Sequence, residues 1–534
     1  MDHHIKRRLS EFLTKETEGR AGVQKRSGDT DPLIGALEYD SRKVTPETLF
    51  FALPGLHTDG HAYIDEAIAR GAAAVVHENK IHEKKPGIAY LQVKNSRFAM
   101  SPVAAAFYGF PSRRLLTAGV TGTEGKSTTV YLIWQLLRLL GKKAGFISTV
   151  QHSDGGEAQW TSEHQTTPEA VTVQRMLWEM AENGCAYAVV ESSSHGLSPR
   201  TNRLGDVAFD AAVITNVTHE HLEFHGSWEQ YRNDKANLFR ALDHGYAKTG
   251  MSGAPAISGP FGVINADDNS AGYFRDATRC TTLSFSVSGK DADLAMRINE
   301  SGAFGNWYNV CIAGEDAAVN IRDRLPGAFN MGNVMAALLV ASGLAGVPVR
   351  QIAPLCTRLK PVRGRMTAIG KGQPFEVLVD YAHTPSSFST IFPPLRKRLD
   401  RCGGRIISLF GSAGERDTQK RAQQGSIAAA WSDCIIVADE DPRGEVPMDI
   451  LEQIAEGIHA QKPDYFRRGE NLFLIPDRPT AIRKALSLAR HGDLVLLLGK
   501  GHENSIIYKD HVMPFDEIAE AEKALEELKE KESL

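Results

Sequence analysis

The chain has 534 residues, too many for one ordinary hydrophobic core, and its length suits about three domains. It is 24% charged and 42% hydrophobic, as in soluble globular proteins, and a net charge of −4 provides no basic field for nucleic acid. The N-terminus lacks an apolar signal core and no membrane-length apolar run occurs, so a cytoplasmic location, away from membranes, is the expectation. The six cysteines (Cys185, Cys280, Cys311, Cys356, Cys402 and Cys434) form no C-x-x-C pair, so reduced thiols are expected rather than disulfides or zinc.

Three blocks follow in chain order. In the first, Thr48-Leu49-Phe50-Phe51-Ala52-Leu53 predicts a strand, Ile64 to Arg70 a helix closed by Gly71, and Ala73-Ala74-Val75-Val76 the next strand. The second opens on Ala118-Gly119-Val120-Thr121-Gly122-Thr123-Glu124-Gly125-Lys126-Ser127-Thr128, followed by a helical pattern from about Tyr131 to Leu140. This is the strand–loop–helix setting of a phosphate-binding loop. Gly122 and Gly125 let backbone N–H groups converge on phosphate oxygens, Lys126 reaches the terminal phosphates and Ser127 suits Mg²⁺. The following helix N-terminus adds partial positive charge. A bound nucleoside triphosphate is the expectation.

Farther on, Ala186 to Val190 and Ala211 to Ile214 predict buried parallel strands. Each is followed by polar residues, Glu191-Ser192-Ser193-Ser194-His195 and Thr215-Asn216, which should share one strand-end rim with the phosphate loop. Ser284 to Arg322 predicts a small side sheet. In the third block, Phe375 to Val379, Arg405 to Phe410, Cys434 to Ala438 and Leu494 to Leu498 predict a second doubly wound sheet with its own rim. An amphipathic helix from Asp516 to Lys531 ends the chain.

The loop departs from G-x-x-x-x-G-K-[ST], because Val120 stands where the first glycine belongs. Its T-G-T-x-G-K-[ST] form resembles the variant loop of the Mur ligase superfamily, whose members make an amide bond by way of an acyl phosphate. The resemblance becomes specific at Thr215-Asn216-Val217-Thr218-His219-Glu220-His221-Leu222-Glu223-Phe224-His225-Gly226, followed by Y-x-x-x-K-A-x-L-F around Lys235. The histidine spacing alone is a weak zinc pattern. The family form carries aspartates where Glu220 and Glu223 stand here. The resemblance implies that His221 is a magnesium ligand, with Ser127 and Glu191, and that Lys235 carries an N-carbamate (N6-carboxylysine). A free ammonium near Mg²⁺ would be repelled, whereas a carbamate supplies anionic oxygens.

The likeness extends along nearly the whole chain. Asp40-Ser41-Arg42 resembles the uridine-nucleotide domain of the branch that adds the third residue of the peptidoglycan stem peptide. Thr166, Thr167, Ser194 and Arg203 match that branch's contacts to UDP-N-acetylmuramoyl-L-alanyl-D-glutamate. Leu325-Pro326-Gly327-Ala328-Phe329-Asn330 with Asn333 matches the element that holds adenine, and Pro361-Val362-Arg363-Gly364-Arg365-Met366 supplies Arg365 toward ATP. With Thr121, Gly122, Thr123, Gly125, Lys126, Ser127 and Thr128 these make the implied ATP site. Asp380-Tyr381-Ala382-His383-Thr384-Pro385, Phe410 to Asp417 with Lys420-Arg421, and Gly499-Lys500-Gly501-His502-Glu503 match C-terminal signatures.

The resemblance therefore implies an α/β protein of three domains. These are an N-terminal UDP-substrate domain (1–111), a central P-loop ATPase-type doubly wound sheet (112–356) and a C-terminal Rossmann-like domain for the amino acid (357–534). It implies a monomeric enzyme using ATP, Mg²⁺ and a diamino acid, with Lys126, His221 and Lys235 as catalytic residues. Arg416, Asp441, Arg443, Gly499 and Glu503 would hold the incoming amino acid. Glu440-Asp441-Pro442-Arg443 stands where D-N-P-R accompanies meso-diaminopimelate. Arg443 favours a second carboxylate through bidentate pairing. Asp441 and Glu440 either favour an extra ammonium, as in lysine or ornithine, or neutralise Arg443. Folylpolyglutamate synthase has a similar loop but lacks the uridine domain that Asp40-Ser41-Arg42 marks. A silent nucleotide-binding regulator is disfavoured by intact Lys126, Glu191, His221 and Lys235.

Overall fold

The structure, a computed structural model, describes residues 5–55, 58–161, 165–218, 222–245, 248, 259–302, 305–400 and 402–532. The chain forms two compact units. One comprises Met1–Ala295, Ile312–Gly314 and Asn333–Ala353, the other Met296–Cys311, Glu315–Gly332 and Pro354–Leu534.

Among the described residues, the first unit holds two larger sheets and a small antiparallel pair of Arg7–Arg8 with Leu33–Ile34. Of the larger sheets, the N-terminal one contains β1 (Val23–Ser27), β2 (Ala36–Glu38), β3 (Thr48–Phe51), β4 (Ala72–His77) and β5 (Ala89–Val93) in the order β1-β5-β4-β3-β2. Only β1 runs antiparallel to its neighbour. Helix α1 (Ser96–Phe107) is started by Asn95, whose side chain accepts from Phe98 N. It packs on a later helix, α2 (Ala170–Glu182), where the Tyr108 and Trp178 rings lie 5.7 Å apart.

The central sheet is built on β6 (Leu116–Thr121), which is buried along its length. Its parallel neighbours are β7 (Tyr187–Glu191) and β8 (Ala211–Ile214). Beyond β7 lies β9 (Ala144–Ile147), and beyond β8 come β10 (Phe261–Asn265) and β11 (Thr281–Ser286), all parallel. The chain thus leaves β6 toward one side and later fills the other, which puts a crevice at the carboxyl end of β6. Ser284 and Ser286 lie in β11, a parallel member of the main sheet rather than of a side sheet. Alternating polarity identified the strand but could not show which strand it would pair with. In the second unit, β12 (Gly305–Ile312) and β13 (Val319–Asp323) do form an antiparallel pair.

The second unit's main sheet contains β14 (Thr367–Ala368), β15 (Glu376–Asp380), β16 (Ile406–Phe410), β17 (Cys434–Val437), β18 (Leu472–Leu474) and β19 (Leu494–Leu498). The order is β14-β15-β19-β16-β17-β18, parallel except for β14. Cores fill both faces, with Phe388, Phe392 and Ile454 on one and Ile482, Ala485 and Leu525 on the other.

Helices α3 (Gln419–Trp431) and α4 (Pro447–Gln461) meet at backbone distance through glycines. A Cβ on Gly457 would fall 1.9 Å from Ala422 O, and one on Gly425 2.2 Å from Ile454 O. Gly457→Ala is therefore expected to lower unfolding stability by about 1–3 kcal/mol in urea titration. Gly19→Ala, in a helix where nothing lies within 4 Å, should be neutral or slightly stabilising. Equal stability of the two variants would refute this packing account.

Candidate active site

The loop between β6 and α5 (Lys126–Leu139) is shaped by two glycines. Gly122 has φ 153° and Gly125 φ 82°. A Cβ at Gly122 would lie 1.8 Å from Thr215 Oγ1, and one at Gly125 2.5 Å from Asn333 Oδ1. Thr215 and Asn216, just past β8, hold the loop. Asn216 Oδ1 accepts from Glu124 N at 2.9 Å, and Thr215 Oγ1 donates to Glu124 O at 2.6 Å. Thr123 N donates to Asn216 O, and Thr123 Oγ1 lies 3.1 Å from Tyr231 OH. Thr121 is fully buried at the end of β6, and Thr128 lies in the first turn of α5. Lys126 Nζ donates to Thr123 O at 2.7 Å.

Glu191, at the end of β7, is 1% exposed. Its Oε1 accepts from Ser127 Oγ at 2.9 Å; its Oε2 accepts from Ser148 Oγ at 2.6 Å and Thr149 N at 2.9 Å. The phosphate loop, Glu191 and Thr215-Asn216 therefore do share one rim. Lys235, on α6 (Trp228–Leu242), is as buried as Glu191; its Nζ donates to Gly122 O at 2.6 Å and lies 4.4 Å from the Tyr231 ring centroid. His221 lies outside the described residues. Among those described, no three His, Cys, Asp or Glu side chains are grouped to hold a metal ion. The Ser127 hydroxyl and Glu191 carboxylate are nonetheless hard oxygen donors of the kind Mg²⁺ takes.

Asn333 Oδ1 accepts from Thr129 Oγ1 at 3.2 Å. Asn330, earlier on the helix Phe329–Ala345, donates to Pro326 O at 2.7 Å. Thr167 Oγ1 donates to Glu191 O at 2.8 Å and accepts from Ser193 N, which ties it to the same rim; Thr166 is half-buried beside it. Arg203 donates to Thr167 O at 2.8 Å and to Glu169 at 3.0 Å. Ser41 is buried in a short turn headed by Asp40, which pairs with Arg42 at 2.8 Å.

The rim of the second unit contains the remaining expected residues. Asp441 Oδ1 accepts from Lys500 Nζ and Ile507 N, both at 2.9 Å. Glu503 accepts from Lys500 at 2.5 Å and from Tyr381 OH at 3.2 Å. The cation that neutralises Asp441 is thus the fully buried Lys500, not Arg443. Arg443 is half-buried and its Nε, shielded from solvent, has no hydrogen-bond acceptor among the described residues. Gly499, with φ 104°, is required because a Cβ would meet Glu440 Oε2 at 2.8 Å. Arg416 is exposed beside Glu415.

Three non-glycine residues here, Met366, Glu415 and Arg443, have φ of 46°, 56° and 54°. Such conformations cost about 1–3 kcal/mol each and persist where the surroundings impose them. Asp380 imposes one, accepting from Met366 N at 2.7 Å and Ala382 N at 2.8 Å. Arg365 lies 4.7 Å from the centroid of the Tyr381 ring.

Family models match three stretches of the chain. They are the Mur ligase family catalytic domain at 33–108, the Mur ligase middle domain at 120–341 and the Mur ligase glutamate ligase domain at 364–501. The UDP-N-acetylmuramyl-tripeptide synthetase of Treponema denticola is 50% identical over 93% of this chain and 95% of its own length. The chain belongs to the Mur ligase family. The UDP-N-acetylmuramoyl-L-alanyl-D-glutamate–2,6-diaminopimelate ligase of Geobacillus kaustophilus is 37% identical over 93% of this Mur ligase and 96% of its own length. A solved structure of a ligase with that same name covers 92% of it, and 95% of that chain, with TM-score 0.61 and 26% identity.

Several residues that position this Mur ligase's site had no role in the sequence reading. Asn216 and Asp380 lay inside quoted motifs. Lys500 and His225 lay there too, Lys500 in the glycine-rich signature and His225 in the histidine string, whereas Ser148 and Asp234 match no motif position. Asp439, at the same rim, shows what burial does there. Its carboxyl is pushed up to about 6 by burial, although Tyr508 OH donates to it. A carboxyl raised in the folded state stabilises the fold fully below its unfolded value of 3.8, and that contribution is lost as pH rises through about 6. Asp439→Asn should therefore raise Tm relative to the parent more at about pH 8 than at about pH 4. Thermal melts showing the same difference at both pH values would exclude this linkage.

Proposed function

We propose that this Mur ligase adds a diamino acid to UDP-N-acetylmuramoyl-L-alanyl-D-glutamate, using ATP and an acyl phosphate, in the cytoplasm and as a monomer. The observation that carries the reading is the convergence of the phosphate loop, the Ser127–Glu191 pair and buried Lys235 on one rim. The names of its relatives supply the substrate class. Residues 1–111 bind the UDP portion through Ser41. Residues 112–356 bind ATP, with Asn330 and Asn333 at the adenine and Thr166, Thr167, Ser194 and Arg203 toward the muramoyl peptide. Residues 357–534 bind the amino acid, and Arg365 meets the phosphates.

The substrate carboxylate attacks the γ-phosphorus, and an amine then displaces phosphate from the acyl phosphate. Lys126 offsets charge on the transferring phosphoryl group, so catalysis is mainly positioning and electrostatics. Ser127, Glu191, His221 and carbamylated Lys235 would hold Mg²⁺, which when bound neutralises phosphate charge. The carbamate forms as the neutral Lys235 amine adds to CO₂ and releases a proton. The function is tested by phosphate release that requires both the UDP-muramoyl dipeptide and a diamino acid. Release with neither added, or with a folate substrate instead, would refute it.

Lys235→Ala should remove nearly all turnover while the protein stays folded, and short carboxylic acids should restore part of it. Full turnover in Lys235→Ala without any additive would exclude a carbamate role. At the other rim, Arg443 reads a carboxylate of the incoming amino acid, while Asp441 acts through Lys500. Arg443→Ala should raise the KM of the preferred amino acid ~30-fold or more, since losing a buried charge partner costs about 2–5 kcal/mol. Asp441→Asn should shift preference among diaminopimelate, lysine and ornithine toward diaminopimelate. An unaltered ranking in both variants, assayed with all three, would place specificity elsewhere.

A further inference from the structure

A buried polar chain leads away from Ser194. Ser194 heads the short helix Ser194–Leu197 just past β7, and its Oγ lies 3.1 Å from His225 Nε2. His225 Nδ1 lies 2.8 Å from Asp234 Oδ2, and Asp234 Oδ1 accepts from Gln230 Nε2 at 2.8 Å. The side chains of His225 and Asp234 are 0% and 2% exposed. The imidazole is packed among Phe224, Tyr231 and His195, with ring centroids 4.7 to 5.3 Å away, so it cannot turn over freely.

With the Asp234 side chain as a carboxylate and the His225 ring neutral, donor chemistry sets the proton positions. A carboxylate only accepts, so His225 Nδ1 carries the proton that faces Asp234. In the neutral ring Nε2 then has only a lone pair, and Ser194 must donate its hydroxyl proton to it. That leaves Ser194 Oγ with lone pairs alone for any other partner. Gln230, by holding the far oxygen of Asp234, keeps the carboxylate in place.

We propose that His225 and Asp234 are positioning residues that make Ser194 an obligate hydrogen-bond acceptor, so that it receives an N–H of the muramoyl peptide and not the carboxylate that is phosphorylated. This rests on the reading above that Ser194 contacts the UDP-linked substrate. An acceptor there sorts the two polar ends of the dipeptide: it attracts an amide N–H and repels carboxylate oxygens. The reacting carboxylate is thereby directed away from Ser194.

Asp234→Asn tests the idea with little change of shape. Gln230 donates to the Asn carbonyl, which turns the Asn NH₂ toward His225 Nδ1 and moves the ring proton to Nε2. Ser194 then accepts from His225 and points its own O–H outward, donor against donor. By calorimetry, Asp234→Asn and Ser194→Ala should each weaken UDP-muramoyl dipeptide binding about tenfold, the worth of one hydrogen bond. ATP binding and Tm should stay near the parent values. The double variant should bind no worse than Ser194→Ala alone, because the dyad acts only through that hydroxyl. Additive losses, or parental affinity in Asp234→Asn, would overturn the assignment. If the unmodified protein bound no UDP-muramoyl dipeptide, the functional reading would fail and this inference with it; additive losses in a protein that does bind it would sink this inference alone.

Discussion

The first unit's site depends on the saturation of a single carboxylate. Glu191 ends β7, the strand between β9 and β6. It accepts from Ser127 after β6 and from Ser148 and Thr149 after β9, so one side chain joins the ends of three adjacent parallel strands. Burying a lone carboxylate would be costly; three donors offset that cost and fix the positions of the loops that supply them. The glycines matter for the same reason. The loop lies so close to Thr215 and Asn333 that neither Gly122 nor Gly125 has room for a side chain.

The second unit solves a different problem. Its rim pairs Asp441 and Glu503 with the fully buried Lys500. Here the internal cation holds the carboxylates, while the backbone is bent into left-handed turns at Glu415 and Arg443. An ion pair of this kind adds little stability against an apolar replacement, but removing one partner is costly. The geometry is therefore sensitive to any change of charge at Lys500.

Chemistry carried by a short contiguous stretch was legible in the sequence. The phosphate loop declared itself because glycine, lysine and serine must follow one another to wrap a phosphate. Strands such as Ala211–Ile214 and Leu494–Leu498 were legible because burial on both faces leaves an uninterrupted apolar run. Pairings assembled from distant segments were not. Lys500 meets Asp441 across 59 positions, and Ser194 meets His225 across 31, so no local pattern announces either. Strand β11 was legible as a strand, but its partner was not, since pairing depends on where other strands have already been placed. The role given to His221 rests on its motif.

The strand order of the second unit also governs how it can be made. β19, the last long strand, lies between β15 and β16, which precede it by more than eighty residues. During synthesis β15 and β16 must wait with the slot between them open, their facing N–H and C=O groups unpaired. Such high contact order slows folding and exposes sticky edges to other chains. A nascent chain that stalls before Leu494 holds most of the unit's residues but lacks the strand that joins its two halves, a natural substrate for chaperones and proteases.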